Sequence, residues 1–245
     1  MSNFNDTQTQ IYRPKPGEAF HVHTHRCGHA GTDEDSAYVE KAIELSAPRI
    51  VFTDHAPFPG DPFGNRMKYS ELDEYIETLS ELKKKYQGKL DIHIGLETEY
   101  FPSFDDAGYY KELKARENFD MLLLGEHMAE TEPGEYTFSW DKDKLNAEEY
   151  IALGNAQIQG INSGYFDAVA HPDRIFRRQK TWSEDMDAMA EQIIACACKM
   201  NIPIEINEAS KNQNNHFRKE FWDKAGAAQI IHGVDAHTLD ELRVL

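Results

Sequence analysis

Seven short apolar runs punctuate the chain: AFHVH (19–23), RIVFTDH (49–55), LDIHIGLE (90–97), FDMLLLGEH (119–127), FDAVAHPD (166–173), IPIEINE (202–208) and AQIIHGVDAH (228–237). Each has the length of a strand. Longer stretches between them carry apolar residues at helical spacing. DEDSAYVEKAIELS (33–46) opens with acids in its first turn, and SELDEYIETLSELKKKY (70–86) repeats Leu and Ile at helical intervals. SEDMDAMAEQIIACACKM (183–200) starts from a Ser/Asp-type cap near Ser183. Seven strands alternating with helices predict a parallel βα-repeat fold, either a barrel or an open sheet. No Pro-, Gly- or Ser-rich linker divides the chain. The expectation is therefore one domain over 19–245, preceded by a polar lead-in over 1–18 that is disordered or draped on the surface.

Composition narrows the function. At 245 residues and 40% hydrophobic content the chain can bury an ordinary core. No segment approaches the ~18–20 apolar residues of a membrane span, and the N-terminus lacks the apolar core of a signal peptide. Three cysteines, at 27, 196 and 198, form no CxxC pair and are odd in number, which points to a reducing cytoplasm. A formal charge of −17 argues against a nucleic-acid binder. It also repels small anionic substrates unless a local positive centre intervenes, and bound divalent cations would be such a centre.

The residues that end the runs supply one. FHVHTHRCGHA (20–30) packs four histidines into nine positions, although unpartnered imidazole nitrogens are costly in a buried strand. His21 and His23 end the first run, His55 the second, Glu97 the third, His127 the fourth, His171 falls at the end of the fifth, and Asp235 and His237 end the seventh. The C-terminal rim of the strands is where βα barrels build their sites, so these scattered residues should converge on one mouth. His-x-His on a strand places both rings on one face, and Asp235-Ala-His237 repeats that spacing. His29, in the loop after the first run, completes a set of nine. Seven imidazoles and two carboxylates exceed one four-coordinate ion and suit two or three, with a carboxylate bridging a pair. His93 and His232 lie inside strands, away from the rim. They and His216 read as locally hydrogen-bonded, whereas His25 is ambiguous.

In order and spacing, HVHTHRCGHA, FTDHAP, GLETEY, GEHM, AHPDR and GVDAH resemble the motifs of the polymerase-and-histidinol-phosphatase (PHP) family. The resemblance covers about residues 20–237, and Cys-Gly-His-Ala followed by Thr-Asp-His-Ala-Pro is most similar to stand-alone histidinol-phosphate phosphatases. It implies a distorted (β/α)7 TIM-like barrel holding three divalent ions of zinc, iron or manganese at the C-terminal rim. It further implies that His21, His23, Glu97 and Asp235 hold the first ion. Glu97 bridges to a second held by His127 and His171, and His29, His55 and His237 hold the third. Asn207 matches a pocket-facing position of relatives, whereas the neighbouring Glu208 is unfamiliar. Relatives usually continue further past the Asp-x-His motif than TLDELRVL, so a shortened closing helix is expected, leaving a seam or inviting a partner subunit.

The implied chemistry is hydrolysis of a small phosphate ester, L-histidinol phosphate foremost, by attack of a metal-bridging hydroxide. Asp235, at the centre of the site, is the favoured proton donor to the leaving alkoxide, with a nearby histidine such as His237 the other candidate. Phosphate favours a guanidinium fork, and HPDRIFRRQK (171–180) offers Arg174, Arg177, Arg178 and Lys180, with Arg174 and Arg177 nearest the rim. Arg66 lies in FPGDPFGNRMKYS (58–70), long enough to act as a lid. The other candidate lid, EHMAETEPGEYTFSWDKDKLN (126–146), carries Tyr136, Phe138 and Trp140, which either stack on an imidazole or pack as a hairpin. A phosphatase or phosphodiesterase acting on nucleotides or other small esters is the alternative. An amidohydrolase would want a strand-four lysine where this chain has Gly-Glu-His. A nuclease is disfavoured by the charge, and a non-catalytic metal scaffold by the complete donor set. Monomer and homo-oligomer both stay open.

Overall fold

The computed structural model describes residues 12–139, 147–177, 179–213 and 216–245. Residues 1–11 of the lead-in, Trp140 and 141–146 of the second candidate lid, and Arg178 lie outside the described residues. Strands β1 (Ala19–Val22), β2 (Arg49–His55), β3 (Asp91–Thr98) and β4 (Met121–Leu124) pair in parallel in that order. After an antiparallel hairpin of β5 (Met128–Glu132) and β6 (Glu135–Phe138), the sheet resumes with β7 (Ala168–Val169), β8 (Ile204–Asn207) and β9 (Ile230–Gly233). The chain beyond β9 returns to β1: Val234 N donates to Phe20 O at 2.9 Å, and His23 N donates to Ala236 O at 2.9 Å. The result is a nearly closed seven-stranded parallel barrel. All seven apolar runs became its strands, most of them shorter than the runs because the rim residues leave the ladder and enter loops.

Helices α1 (Asp35–Glu44) and α2 (Leu72–Lys85) follow β1 and β2, and the short α3 (Pro102–Asp106) and α4 (Tyr109–Lys114) follow β3. The long α5 (Ala147–Ser163) and α6 (Glu184–Met200) flank β7, and α7 (Glu208–Lys211) and α8 (Lys219–Trp222) come after β8. Ser183 caps α6 by accepting from Met186 N, as its position predicts. The final residues fold as turns rather than a closing helix. Leu242 is buried there, and Leu245 O accepts from Gly17 N at 2.9 Å.

Strand alternation divides the core in two. Phe20, Val51, Met121, Leu123, Ala168 and Ile231 fill the lower barrel interior. The residues beside them, such as Ile50, Phe52, Leu122, Leu124, Val169 and Ile204, face outward against the helices. An apolar plug below leaves the upper interior for polar side chains. The described part of the lead-in is anchored at both ends and draped between them: Tyr12 is 6% exposed and packs on Phe20 with centroids 5.0 Å apart, Glu18 is buried, and Arg13, Pro14 and Pro16 are exposed. An ionic latch fixes its course. Arg49 Nε and Lys15 Nζ both donate to Asp91 Oδ2, at 2.8 and 2.7 Å, and Arg49 Nη1 reaches Arg13 O at 3.1 Å.

That latch makes a testable contribution. Partial burial pushes the Asp91 carboxyl up, but Lys15 and Arg49 outweigh it and hold the pKa down at about 2. A carboxyl held below its ordinary value stabilises the fold above that value and loses the contribution as pH falls through about 2. Asp91 is 33% exposed, so solvent screening limits the effect to about 1 kcal/mol. Asp91→Asn should lower the thermal midpoint by a few degrees at pH 7, with the gap to the parent narrowing below pH 4 in a calorimetric series.

Candidate metal centre

The upper barrel interior gathers all nine donors selected from the sequence. Glu97, on the inward face of β3, stands at the middle. Its Oε2 lies 3.4 Å from His21 Nε2, 3.5 Å from His23 Nε2 and 3.1 Å from His55 Nδ1. Its Oε1 lies 2.8 Å from His171 Nε2 and 3.6 Å from His127 Nε2. Asp235 Oδ1 lies 3.3 Å from His23 Nε2 and 3.6 Å from His21 Nε2. At the mouth, His29 Nε2 meets His237 Nε2 at 3.0 Å, with His55 close by. Glu97 therefore touches two histidine groups with two different oxygens, and a third group forms the outer edge.

Convergence arises less from strand alternation than the sequence suggests. His21 sits at a break in the β1–β2 register with φ 69°, and His23 lies just beyond the strand. His171 (φ 28°) and Asp235 (φ 51°) also follow their strands with positive φ. Such backbone costs on the order of 1–3 kcal/mol per non-glycine residue and clusters at functional sites. Here the bends turn side chains from three strand ends inward. Glycine provides clearance at the centre: a Cβ on Gly125 would fall 2.1 Å from Glu97 Oε1.

The donors fit divalent ions. Nε2 of His21 and of His23 is buried with no hydrogen-bond partner among the described residues. Both face carboxylate oxygens at 3.3–3.6 Å, longer than a good hydrogen bond. Ligands about 2.0–2.1 Å from a tetrahedral zinc are roughly 3.3 Å apart. Protonation states agree. Burial holds His23 and His171 well below the ordinary imidazole value and brings His55 down to about 4. Burial pushes Glu97 up, but His127, His21 and His55 outweigh it and keep the carboxyl far below its usual range. Asp235 is held down in the same way, chiefly by Arg174 against burial. Neutral imidazoles around ionised carboxylates are ready to bind metal. His21 departs from this pattern: burial lowers it, but Glu205, Asp235 and Glu97 together raise it.

Behind the donors stands a layer that sequence reasoning mostly missed. Glu205 Oε1 pairs with His21 Nδ1 at 2.7 Å, and Glu99 Oε1 with His127 Nδ1 at 3.2 Å. Cys27, known from sequence only as an unpaired cysteine, places Sγ 3.2 Å from His23 Nδ1 and donates to Asp54 Oδ1. Backbone oxygens of Cys27 and Asp235 serve the Nδ1 atoms of His29 and His237. With Nδ1 occupied, Nε2 is left for an ion. The available signal was a carboxylate inside an apolar strand, as in Ile204-Glu205-Ile206. Glu208, singled out instead, is at the surface with Lys211 and His232.

Of the predicted phosphate groups, Arg174 is the most deeply engaged: its Nη2 donates to Asp235 Oδ2 at 2.7 Å, Ser210 Oγ at 2.8 Å and Asn207 Oδ1 at 3.0 Å. Arg177 reaches the backbone and hydroxyl of Ser139 at the foot of the β5–β6 hairpin. Arg66 closes its fork on Glu99. All three line a cavity of about 270 Å³ over the histidines, whereas Asn207 works from below, donating to Glu205 and Asp235. Lys180 and His25 are exposed and do not line the cavity. His93 and His232 stay local, near Asp91 and Glu208. The second candidate lid is a hairpin, and Tyr136 packs against Phe63 of the first, centroids 4.8 Å apart.

Residues 19–209 match the family described as the PHP domain. The chain is 39% identical over 92 residues to a histidinol-phosphatase of Bacillus subtilis, covering 35% of this chain and 34% of that one. It is 28% identical over 162 residues to a probable histidinol-phosphatase of Deinococcus radiodurans, covering 62% of this chain and 59% of the relative. The matched stretches thus span under two thirds of both relatives. Among solved structures, a putative histidinol phosphatase from Listeria monocytogenes superposes with a TM-score of 0.73 at 21% identity, covering 91% of this chain and 96% of that one. A histidinol phosphate phosphatase from Lactococcus lactis, complexed with zinc, L-histidinol and phosphate, gives 0.69 at 17% identity, covering 91% and 87%. At these identities the two structures support the barrel fold.

The central position of Glu97 sets an expectation. Glu97→Gln should weaken metal binding by ~10²-fold or more, beyond the 10–100-fold typical of outer partners. Bound metal should fall by at least one ion per chain in elemental analysis after dialysis. Unchanged stoichiometry and affinity would remove Glu97 from the centre.

Proposed function

Since the chain belongs to the PHP family, we propose that it is a metal-dependent phosphomonoesterase whose substrate is L-histidinol phosphate. The observation that carries the chemistry is nine histidine and carboxylate donors, Glu97 central among them, in groups at ligand spacing beneath a cavity lined by Arg174 and Arg177. The substrate assignment draws on the two relatives named as histidinol-phosphatases and on the Lactococcus neighbour.

Three divalent ions, for which zinc, iron and manganese all suit imidazole–carboxylate donors, would supply Lewis acidity toward phosphoryl oxygens and acidify a water toward neutrality. His21, His23, Glu97 and Asp235 would hold the first, Glu97, His127 and His171 the second, and His29, His55 and His237 the third. The chain's own groups do the rest. Arg174 keeps Asp235 ionised through their 2.7 Å bond and keeps Nη1 for a phosphate oxygen. Asp235, favoured from sequence as the acid, is ionised when so held and would serve as a ligand, and the leaving alkoxide would take its proton from water at the mouth, beside the partly exposed His237. No described helix is long and apolar enough to cross a membrane, and three unpaired cysteines suit a reducing cytoplasm.

Metal-loaded protein assayed on L-histidinol phosphate beside nucleotides and sugar phosphates should show a preference in kcat/KM of ~10³-fold or more, about 4 kcal/mol. Chelation should abolish turnover. Flat activity across the panel would retain the phosphoesterase and reject histidinol, favouring nucleotides or other small esters. Arg174→Lys, which keeps the charge but loses the fork, should lower kcat/KM by ~10²-fold.

A further inference from the structure

We propose that Glu205 is a positioning residue of the metal centre, fixing the ring of His21 and the backbone of His171 with its two carboxylate oxygens. The proposal rests on reading those histidines as metal ligands.

Glu205 lies on β8 and is fully buried. Its Oε1 is 2.7 Å from His21 Nδ1. A carboxylate only accepts, so this contact requires a proton on Nδ1 and leaves Nε2 as the nitrogen that can face an ion. That nitrogen faces Glu97 Oε2 at 3.4 Å and Asp235 Oδ1 at 3.6 Å, where an ion would sit. Oε2 accepts from His171 N at 3.0 Å and from Asn207 Nδ2 at 3.2 Å. Asn207 also donates to Asp235 Oδ2 and, through Oδ1, accepts from Arg174. One carboxylate thus ties candidate ligands from the first and fifth apolar runs to the arginine network.

Two further features fit this role. His21 and His171 are two of the site residues with positive φ, and both are held by Glu205, one by its ring and the other by its N–H. Space is reserved for the carboxylate as well: a Cβ on Gly233 would stand 1.5 Å from Glu205 Oε1. Glu205 is not itself placed as a ligand. Both oxygens already accept N–H groups, and it belongs to none of the donor clusters that gather around the other nine residues.

The discriminating variant is Glu205→Gln. Its amide has one oxygen for two N–H groups that both need an acceptor, so either His21 or His171 loses its hold. The amide also removes a charge from a fully buried position, which offsets part of the cost of the lost contact in the metal-free protein. Zinc affinity, measured by chelator competition on the full chain, should fall 10–100-fold, a larger loss than the fall in the metal-free thermal midpoint accounts for. Long-range proton–nitrogen NMR should show the His21 proton fixed on Nδ1 in the parent and no longer fixed in the variant. Glu205→Asp keeps the charge but shortens its reach by one methylene, and should weaken zinc in the same way if the amide variant does not fold.

Unchanged zinc affinity in a folded variant would overturn the proposal. So would a loss of affinity matched by an equal loss of metal-free stability, the mark of a merely structural role. A parent protein that binds no divalent ion would overturn the metal centre itself, a separate failure visible before any variant is made.

Discussion

A buried carboxylate with five imidazole nitrogens around it is the constraint on which the rest of this molecule turns. Glu97 is 1% exposed, and an ionised group so far from water is tolerated only with strong compensation. His127, His21 and His55 supply part of it and hold the carboxyl ionised. Asp235 and Glu205 bring two more acids into the same space, against the single guanidinium of Arg174. Divalent cations relieve this excess of acid directly, and the orphaned Nε2 atoms of His21 and His23 stand where such cations would take them up.

The barrel's architecture follows from the same constraint. Its lower interior is apolar and closed from beneath by Tyr12, so inside the barrel the polar side chains gather toward the C-terminal end of the strands. Most of the donors there are not on regular strand. His23, His29, His127, His171, Asp235 and His237 lie just past strand ends, where loops and positive φ allow side chains to be aimed inward. Strained backbone holds its place only when over-determined by its surroundings. The Glu205 contacts to His21 and His171, and the Asp235 contact to Arg174, supply that hold.

Acidity at the level of the whole chain and anion recognition at the level of the site are reconciled by local placement. The chain carries a net charge of −17, yet Arg66, Arg174 and Arg177 gather around the cavity. Each of these arginines is already anchored, to Glu99, to Asp235 and to Ser139 respectively. Anchored guanidiniums give up little side-chain entropy when an anion arrives. The packing of Tyr136 on Phe63 couples the two segments that border the mouth, so the loop after β2 and the hairpin after β4 form one wall.

Sequence by itself determined the seven strands and the nine residues that converge at their rim, because both are written in local pattern. Apolar runs report strands by length, and chemistry-bearing residues at run after run report a common rim. Local pattern could not say that Tyr12 packs against the lower end of the barrel, since the latch that holds its segment joins Lys15 and Arg49 to Asp91, far along the chain. Glu205 and Glu208 are both acids near one strand end, and tertiary placement separates them: Glu205 lies on β8 against His21, whereas Glu208 opens α7 and meets Lys211. His-x-His spacing pointed to one face, yet the rings meet through a register break at His21 that no periodicity encodes. Which oxygen of Glu97 faces which histidine was decided by the closing of seven strands around a shared axis. Contacts of that kind join residues as far apart in the chain as His23 and Asp235, and only the tertiary structure brings them within reach.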